Sequence, residues 1–124
     1  MGPPRGTADE SRSLAPAARE SWRDINETVV RAGLVDQSVK ELCFRYLAED
    51  PEVTDFRRFG ERERVALEWA DAIAHDSDKA GDQLWARLHE SFSEKELVDL
   101  GCAIGFELGQ QHWRRTLGLA ARGD

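Results

Sequence analysis

Apolar residues recur at intervals of three and four along most of the chain, the spacing that places side chains on one face of an α-helix. Trp22, Ile25, Val29 and Val30 follow this spacing between residues 19 and 32. No five-residue segment alternates between polar and apolar side chains with the β-branched enrichment that is typical of a strand. The sequence therefore predicts an all-α fold, a compact bundle of about five helices.

The next three helices are predicted from the same spacing together with signals at their ends. Asp36 is a candidate N-cap for the second helix, whose apolar stripe ends before Pro51. The third helix is predicted over about 60–75 and the fourth over about 79–89. Each has one apolar face, which is typical of helices that pack around a shared core.

The fifth predicted helix has the most unusual composition. Ser93 and Glu96 form a capping box at its start, and it is expected to end near Leu117. Residues 97–109 are apolar on nearly all sides, which predicts a central helix. Three glycines occupy every fourth position of this stretch: Gly101, Gly105 and Gly109. Each costs about 1 kcal/mol of helix propensity relative to Ala. Close helix packing would offset that cost, and space for a ligand is the alternative.

Length and charge exclude several classes of protein. The chain has 124 residues and a net charge of −7, which indicates one domain and disfavours nucleic acid and anionic membranes as partners. No apolar run is long enough to span a bilayer. The first residues lack the apolar core of a secretory signal, so we expect a cytoplasmic protein. We also expect no cofactor and no bound metal.

The ends of the chain differ in composition from its middle. Residues 1–17 contain three of the four prolines and few apolar side chains, which predicts a flexible tail. The helical domain is expected over 18–119, and residues 120–124 are expected to be frayed. Cys43 and Cys102 form neither a disulfide framework nor a CxxC motif, so both are expected to be reduced.

Three strings occur in order in the predicted helical domain: KEL at 40–42, FGERERVALEWADAIA at 59–74 and FSEKELVDLGCAIGFELGQQHWRRTLGL at 92–119. In this order they resemble the carboxymuconolactone decarboxylase and AhpD-like (alkylhydroperoxidase D-like) family, over about residues 24–119. The resemblance implies an all-helical fold. It also implies symmetric homo-oligomers, commonly trimers or hexamers, with active sites near subunit boundaries.

The resemblance also carries an expectation about chemistry. In redox-active members, a Glu of the KEL helix precedes a CxxC motif and a His, and Glu41 matches that Glu. Where the CxxC would stand, this sequence has AEDPEVTDF at 48–56. We therefore expect a hydroperoxidase-like family member with a degenerate redox site, weak or inactive as a thiol peroxidase.

Several residues are candidates for chemistry, each with a structural alternative. Cys43 lies on an apolar stripe, where it is either a core residue or a reactive thiol. Glu41 either forms a solvated pair with Arg45 or transfers protons. Glu107 lies in an apolar helix. Burial would raise its pKa and make it an acid or base near neutrality, whereas pairing with Arg45 or Arg114 would make it structural.

Three function classes remain open. They are a thiol hydroperoxidase using Cys43 or Cys102, a non-redox acid–base enzyme, and a silent ligand-binding oligomer. The acid–base enzyme would be a decarboxylase, lyase or isomerase acting on a small organic acid or an aromatic or lactone-like metabolite.

For the acid–base enzyme, we expect a single cavity, mostly apolar and partly at a subunit interface, that contains Glu41, Glu107 and His112. Tyr46 and Trp113 would form its wall, and Arg45 or Arg114 would hold an anionic group. A metal held by Glu68, Asp71 and His75 is the weakest alternative, since such a set is usually a solvated helix face.

Overall fold

The computed structural model describes Gly2 and residues 6–123. Within this part there are six α-helices and no strand, which confirms the all-α class. The helices are α1 (Ala8–Ser13), α2 (Pro16–Ile25), α3 (Gln37–Leu47), α4 (Glu61–His75), α5 (Asp82–Ser91) and α6 (Glu94–Thr116). A π-helical turn, Asn26–Val30, continues α2, and short 3₁₀ turns precede α4 and α5.

Local signals determine where two of the helices begin. Ser93 Oγ accepts a hydrogen bond from the Glu96 amide at 3.2 Å, and the Glu96 carboxylate accepts one from the Ser93 amide at 2.9 Å. The predicted capping box at the start of α6 is therefore confirmed. Asp36 lies at the predicted N-cap of α3, but its carboxylate does not cap the helix. It accepts hydrogen bonds from the Arg62 guanidinium instead.

The core lies between α3, α4, α5 and α6. Its largest fully buried apolar side chains come from all four helices and the loop after α3: Phe44, Val53, Val65, Leu67, Leu88, Leu100 and Ile104. Val30, Phe44 and Ala103 form a second, smaller cluster that joins the end of the π-turn to α3 and α6. No helix among the described residues combines the length and apolar composition needed to cross a membrane.

A buried lysine fixes the loop that connects the π-turn to α3. Lys40 is fully buried, and its ammonium group donates to the carbonyls of Val29 at 2.7 Å and Ala32 at 2.5 Å. It also forms an ion pair with Asp99 of α6 at 2.8 Å. Three acceptors match the three N–H donors of the ammonium group, so its burial leaves no donor unsatisfied.

Asp99 completes this arrangement from α6. Its Oδ2 accepts hydrogen bonds from the amides of Leu34 at 3.0 Å and Val35 at 2.9 Å. Burial by itself would raise the pKa of Asp99, but the hydrogen bonds from Lys40, Val35 and Leu34 outweigh it and hold the pKa below its ordinary value. The carboxylate is therefore charged under physiological conditions and pairs with a charged lysine.

Gly33 allows the loop to pass close to this ion pair. Its φ is +90°, a conformation that residues with a side chain rarely adopt. A Cβ at this position would lie 2.2 Å from Asp99 Oδ1 and 2.8 Å from Lys40 Nζ. Gly33 is therefore a point of close approach between the loop and the ion pair.

The central glycines of α6 differ in their surroundings. A Cβ on Gly101 would lie 2.8 Å from the Trp69 ring, so close packing within the chain explains this glycine. A Cβ on Gly105 or Gly109 would meet no atom within 4 Å, and both residues are exposed. Of these three glycines, only Gly101 is therefore explained by close packing within the chain.

The structure differs from the expectation of a flexible tail over 1–17. Residues 1 and 3–5 of that prediction lie outside the described residues. Within the described part, Thr7 caps α1, and Pro16 is the first residue of α2. Arg12 is only 6% exposed, with its guanidinium 3.9 Å from the Trp22 ring centroid and 5.1 Å from that of Trp113. The apolar periodicity missed α1 because a stacked arginine holds it in place.

Replacing Lys40 by Met tests the importance of the buried ion pair. The variant leaves Asp99 without its cation and two carbonyls without a donor, so we expect a loss of about 3–5 kcal/mol in unfolding free energy. Urea unfolding followed by circular dichroism measures it. Lys79→Met is the matched control, because Lys79 is 58% exposed and pairs with Asp71 at the surface. Equal effects of the two variants would contradict the assigned role.

Candidate functional site

A cavity of about 290 Å³ lies between the end of α2, the π-turn, α3, α6 and the segment that follows α6. We name it the arginine cavity after the charged side chains in its lining: Arg12, Arg31, Arg114, Arg122, Glu41 and Glu107. Trp22 and Asn26 also line it. Most of these residues are far apart in the sequence, so the fold creates the site.

The structure brings the two predicted glutamates to this one cavity. Glu41 lies on α3 and Glu107 on α6. Arg122 lies between them, with Nη2 at 2.7 Å from the Glu41 carboxylate and Nε at 3.7 Å from the Glu107 carboxylate. The two glutamates share a cavity, as the acid–base interpretation requires. They also contact an arginine, as the structural interpretation requires.

Two glutamines hold the carboxylates in place. Gln37 Nε2 donates to Glu41 at 3.4 Å and to the Val30 carbonyl at 2.9 Å. Gln111 Nε2 donates to Glu107 at 3.3 Å and to the Phe44 carbonyl at 3.0 Å. Gln111 is fully buried, and its Oε1 accepts no hydrogen bond from the described residues. The glutamates are thus oriented by rigid helices and their neighbours.

The segment after α6 turns back over the cavity. Gly118 has a φ of +76°, and Arg114 Nε donates to the Ala120 carbonyl at 2.8 Å. These features direct Arg122 toward α3. The expectation that 120–124 is frayed therefore differs from the structure over 120–123, while Asp124 lies outside the described residues. The reason is a set of charged contacts that no apolar pattern could indicate.

Three of the other predicted site residues lie elsewhere. Tyr46 and His112 line a second cavity of about 220 Å³, which neither glutamate lines. The Tyr46 hydroxyl donates to Asp71 at 2.5 Å. Burial is the main cause that raises the pKa of Tyr46, and this hydrogen bond is the second. Arg45 binds Asp50 at 2.8 Å and Glu52 at 3.0 Å, so it contacts neither glutamate. These three residues therefore do not line the arginine cavity with the two glutamates.

The aromatic wall of the arginine cavity is Trp22 rather than Tyr46. Trp113 lies nearby, in a neighbouring cavity with Trp22 and Arg12, and does not line the arginine cavity itself. Arg114 does line it, as predicted, but its Nε is engaged by Ala120. Arg31 lines the cavity and has no ion-pair partner among the described residues.

The two cysteines have contrasting environments. Cys43 is fully buried in the core, and burial raises the pKa of its thiol to about 12. It is therefore a neutral thiol at physiological pH and a poor nucleophile. Cys102 is exposed on α6, beside an apolar groove formed with Trp69 and Trp85. Both are free thiols.

Two of the three residues considered as metal ligands, Glu68 and Asp71, bind other side chains. Arg87 binds the Glu68 carboxylate through two hydrogen bonds, at 3.0 Å and 2.6 Å. Asp71 accepts from Tyr46 and pairs with Lys79 at 3.3 Å. Over Gly2 and residues 6–123, no group of three or more Asp, Glu, His or Cys side chains is arranged to hold a metal ion.

Sequence reasoning missed several residues of the cavity. Arg12 and Arg122 fall in the segments predicted to be flexible or frayed, and Arg31 lies near the end of the first predicted helix, outside its apolar stripe. Trp22 was assigned to an apolar helix face. The sequence did contain one signal for the surroundings of Glu107. Gln111 follows Glu107 by four residues, and two residues at this spacing lie on the same face of a helix.

No protein-family model, curated protein or solved structure matches this chain. The resemblance to the AhpD-like family therefore stays a prediction that depends on the three sequence strings. The geometry of the arginine cavity and the environments of the two thiols carry the functional argument instead.

Thiol labelling tests the two cysteine environments. In the native protein at neutral pH, we expect Cys102 to react with a disulfide reagent such as DTNB within minutes, and Cys43 to stay unreacted until the protein unfolds. Cys102→Ser removes the fast phase and Cys43→Ser keeps it. Two fast thiols in the native wild type would contradict the buried position of Cys43.

Proposed function

We propose that the protein binds a small organic acid in the arginine cavity, and that Glu41 and Glu107 act on it as an acid–base pair without redox chemistry. One observation carries this proposal: two carboxylates from different helices and four arginines line a single cavity. Charged groups rarely share such a small enclosed space unless they are functional or pair with each other.

The charge of the cavity supports an anionic ligand. Its described lining has four arginines against two glutamates, although the whole chain has a net charge of −7. A guanidinium group can bind a carboxylate through two parallel hydrogen bonds, so an arginine-rich lining suits a ligand with an acid group. The volume of about 290 Å³ is at the small end for ligand sites and favours a metabolite of modest size.

The unequal burial of the two carboxylates supports different roles for them. The Glu107 side chain is 16% exposed and the Glu41 side chain is 42% exposed. Different environments are a common way to separate the acid from the base at one pH. We assign the more buried Glu107 as the proton-transferring group nearest the bound ligand, with Glu41 at the more open side.

The hydroperoxidase alternative that uses Cys43 has less support. Thiol-based peroxide reduction needs a thiolate, and the buried Cys43 is protonated at neutral pH. Within the AhpD-like resemblance, we therefore propose a member that has lost redox chemistry and retains Glu41. A silent ligand-binding protein is the second candidate. It shares the cavity but requires no turnover.

Binding measurements with small carboxylates test the proposal. Calorimetric titration with short mono- and dicarboxylates is expected to find at least one acid with a dissociation constant below about 1 mM. Arg31→Ala removes one cation of the cavity and is expected to weaken this binding about tenfold. Arg57→Ala is the matched control, since Arg57 is exposed and pairs with Asp55 in the turn before α4.

Two outcomes would count against the proposal. If no acid binds, or if Arg31→Ala and Arg57→Ala have the same effect, the arginine cavity is not the ligand site. Glu107→Gln then separates the enzyme from the silent binder. We expect this variant to bind the acid and lack turnover, whereas a silent binder shows no turnover even in the wild type.

We also propose that the chain forms a homo-oligomer, of the trimer or hexamer type that the resemblance implies, through the exposed face of α6. Val98 is 68% exposed, and Cys102, Gly105 and Gly109 continue the same helix face at intervals of four, three and four residues. An apolar groove beside Trp85 borders it. The two exposed glycines lower helix stability by about 2 kcal/mol relative to Ala, and close approach of a second copy would offset this cost.

Light scattering on a size-exclusion column tests the assembly. We expect the wild type to elute at a multiple of 14.0 kDa at micromolar concentration. Gly105→Leu adds a side chain on the proposed interface and is expected to shift the mass toward the monomer. Arg58→Leu adds the same side chain at an exposed position outside α6 and is expected to leave the mass unchanged. A monomeric wild type would refute the assembly.

A further inference from the structure

Arg122 occupies the space between the two glutamates of the arginine cavity. Its guanidinium contacts the carboxylate of Glu41 at 2.7 Å and that of Glu107 at 3.7 Å. The guanidinium carbon also lies 5.8 Å from the ring centroid of Phe44. Two carboxylates and an aromatic face are the partners that proteins use to bind a guanidinium or ammonium ion.

The two halves of this contact differ in how firmly they are held. Glu41 and Glu107 project from α3 and α6, which pack against each other in the core, and Gln37 and Gln111 orient their carboxylates. Arg122 belongs to the non-helical segment after α6. The acceptors are therefore preorganised, whereas the cation is supplied by the part of the site with the fewest constraints.

The contact of Arg122 with Glu41 is also partly exposed. The two side chains are 35% and 42% exposed, and ion pairs in such positions contribute little to stability because water competes for both groups. A ligand cation that binds both carboxylates can therefore replace Arg122 at small cost.

We propose that Glu41 and Glu107 form a subsite for a guanidinium or primary amine group of the ligand, and that Arg122 fills this subsite until the ligand displaces it. The inference rests on the proposed function, in which an arginine of the cavity such as Arg31 holds the acid group of the same molecule. Both glutamates bind the cation as carboxylates, so they begin any proton transfer as acceptors. The ligand class is then a small zwitterion, a guanidino or amino acid of a few carbons. Arg122 acts as an internal competitor that sets the affinity.

Three probes separate the two ends of such a ligand. 4-Guanidinobutyrate carries both charges, pentanoate carries the acid alone, and butylguanidine carries the cation alone. Each probe is titrated by calorimetry into the wild type, Arg122→Ala, Glu41→Gln and the control Arg57→Ala. Circular dichroism establishes that each variant is folded.

We expect 4-guanidinobutyrate to bind the wild type at least tenfold more tightly than pentanoate does. Arg122→Ala removes the competitor, so it is expected to tighten the binding of 4-guanidinobutyrate and butylguanidine at least tenfold without tightening that of pentanoate. Glu41→Gln is expected to abolish the preference for the guanidino acid. Arg57→Ala is expected to match the wild type.

The outcomes distinguish this inference from the function on which it rests. If pentanoate and 4-guanidinobutyrate bind equally well to the wild type and to Arg122→Ala, the cation subsite is refuted and the acid site stands. If butylguanidine binds Arg122→Ala but neither acid binds any variant, the acid site is refuted and the subsite stands. If no probe binds the wild type or Arg122→Ala, both are refuted.

Discussion

The buried ammonium group of Lys40 determines how α3, α6 and the preceding loop are positioned. It joins two carbonyls near the end of the π-turn to Asp99 of α6, and Asp99 in turn binds the loop amides. Glu41 is the next residue of α3, and Glu107 lies two helical turns beyond Asp99 on α6. The same ion pair therefore sets the separation of the two carboxylates in the arginine cavity. Fold stability and site geometry share one buried contact.

Much of the helical framework could be predicted, because its signals are local. The capping box and the apolar spacing of α6 lie within a few residues of each other, so they are visible without the fold. Long-range contacts were not visible. The helix α1 is held by Arg12 stacked between two tryptophans, and the segment after α6 is held by Arg122 on Glu41. Neither has an apolar stripe, and both were assigned to flexible ends.

Helix geometry explains which of the predicted site residues lie together. Glu41 and Glu107 meet because α3 and α6 pack against each other. Tyr46 follows Glu41 by five residues, and His112 follows Glu107 by five. Five residues are a rotation of about 140° around a helix, so each pair faces different sides. Arg45 is four residues from Glu41, a spacing that allows an ion pair, but it binds Asp50 and Glu52 of the following loop instead. Sequence spacing alone cannot rank such competing partners.

The rotation of α6 also separates Glu107 from part of the proposed interface between copies. Gly105 and Glu107 are two residues apart, a rotation of about 200°, so they lie on nearly opposite sides of the helix. The AhpD-like resemblance implies active sites near subunit boundaries. Glu107 lines the arginine cavity and therefore faces away from Gly105. Gly109 lines a neighbouring cavity together with Arg12, Trp22 and Gln110, and these three residues also line the arginine cavity. A second copy seated on Gly109, as proposed, would therefore lie next to the arginine cavity.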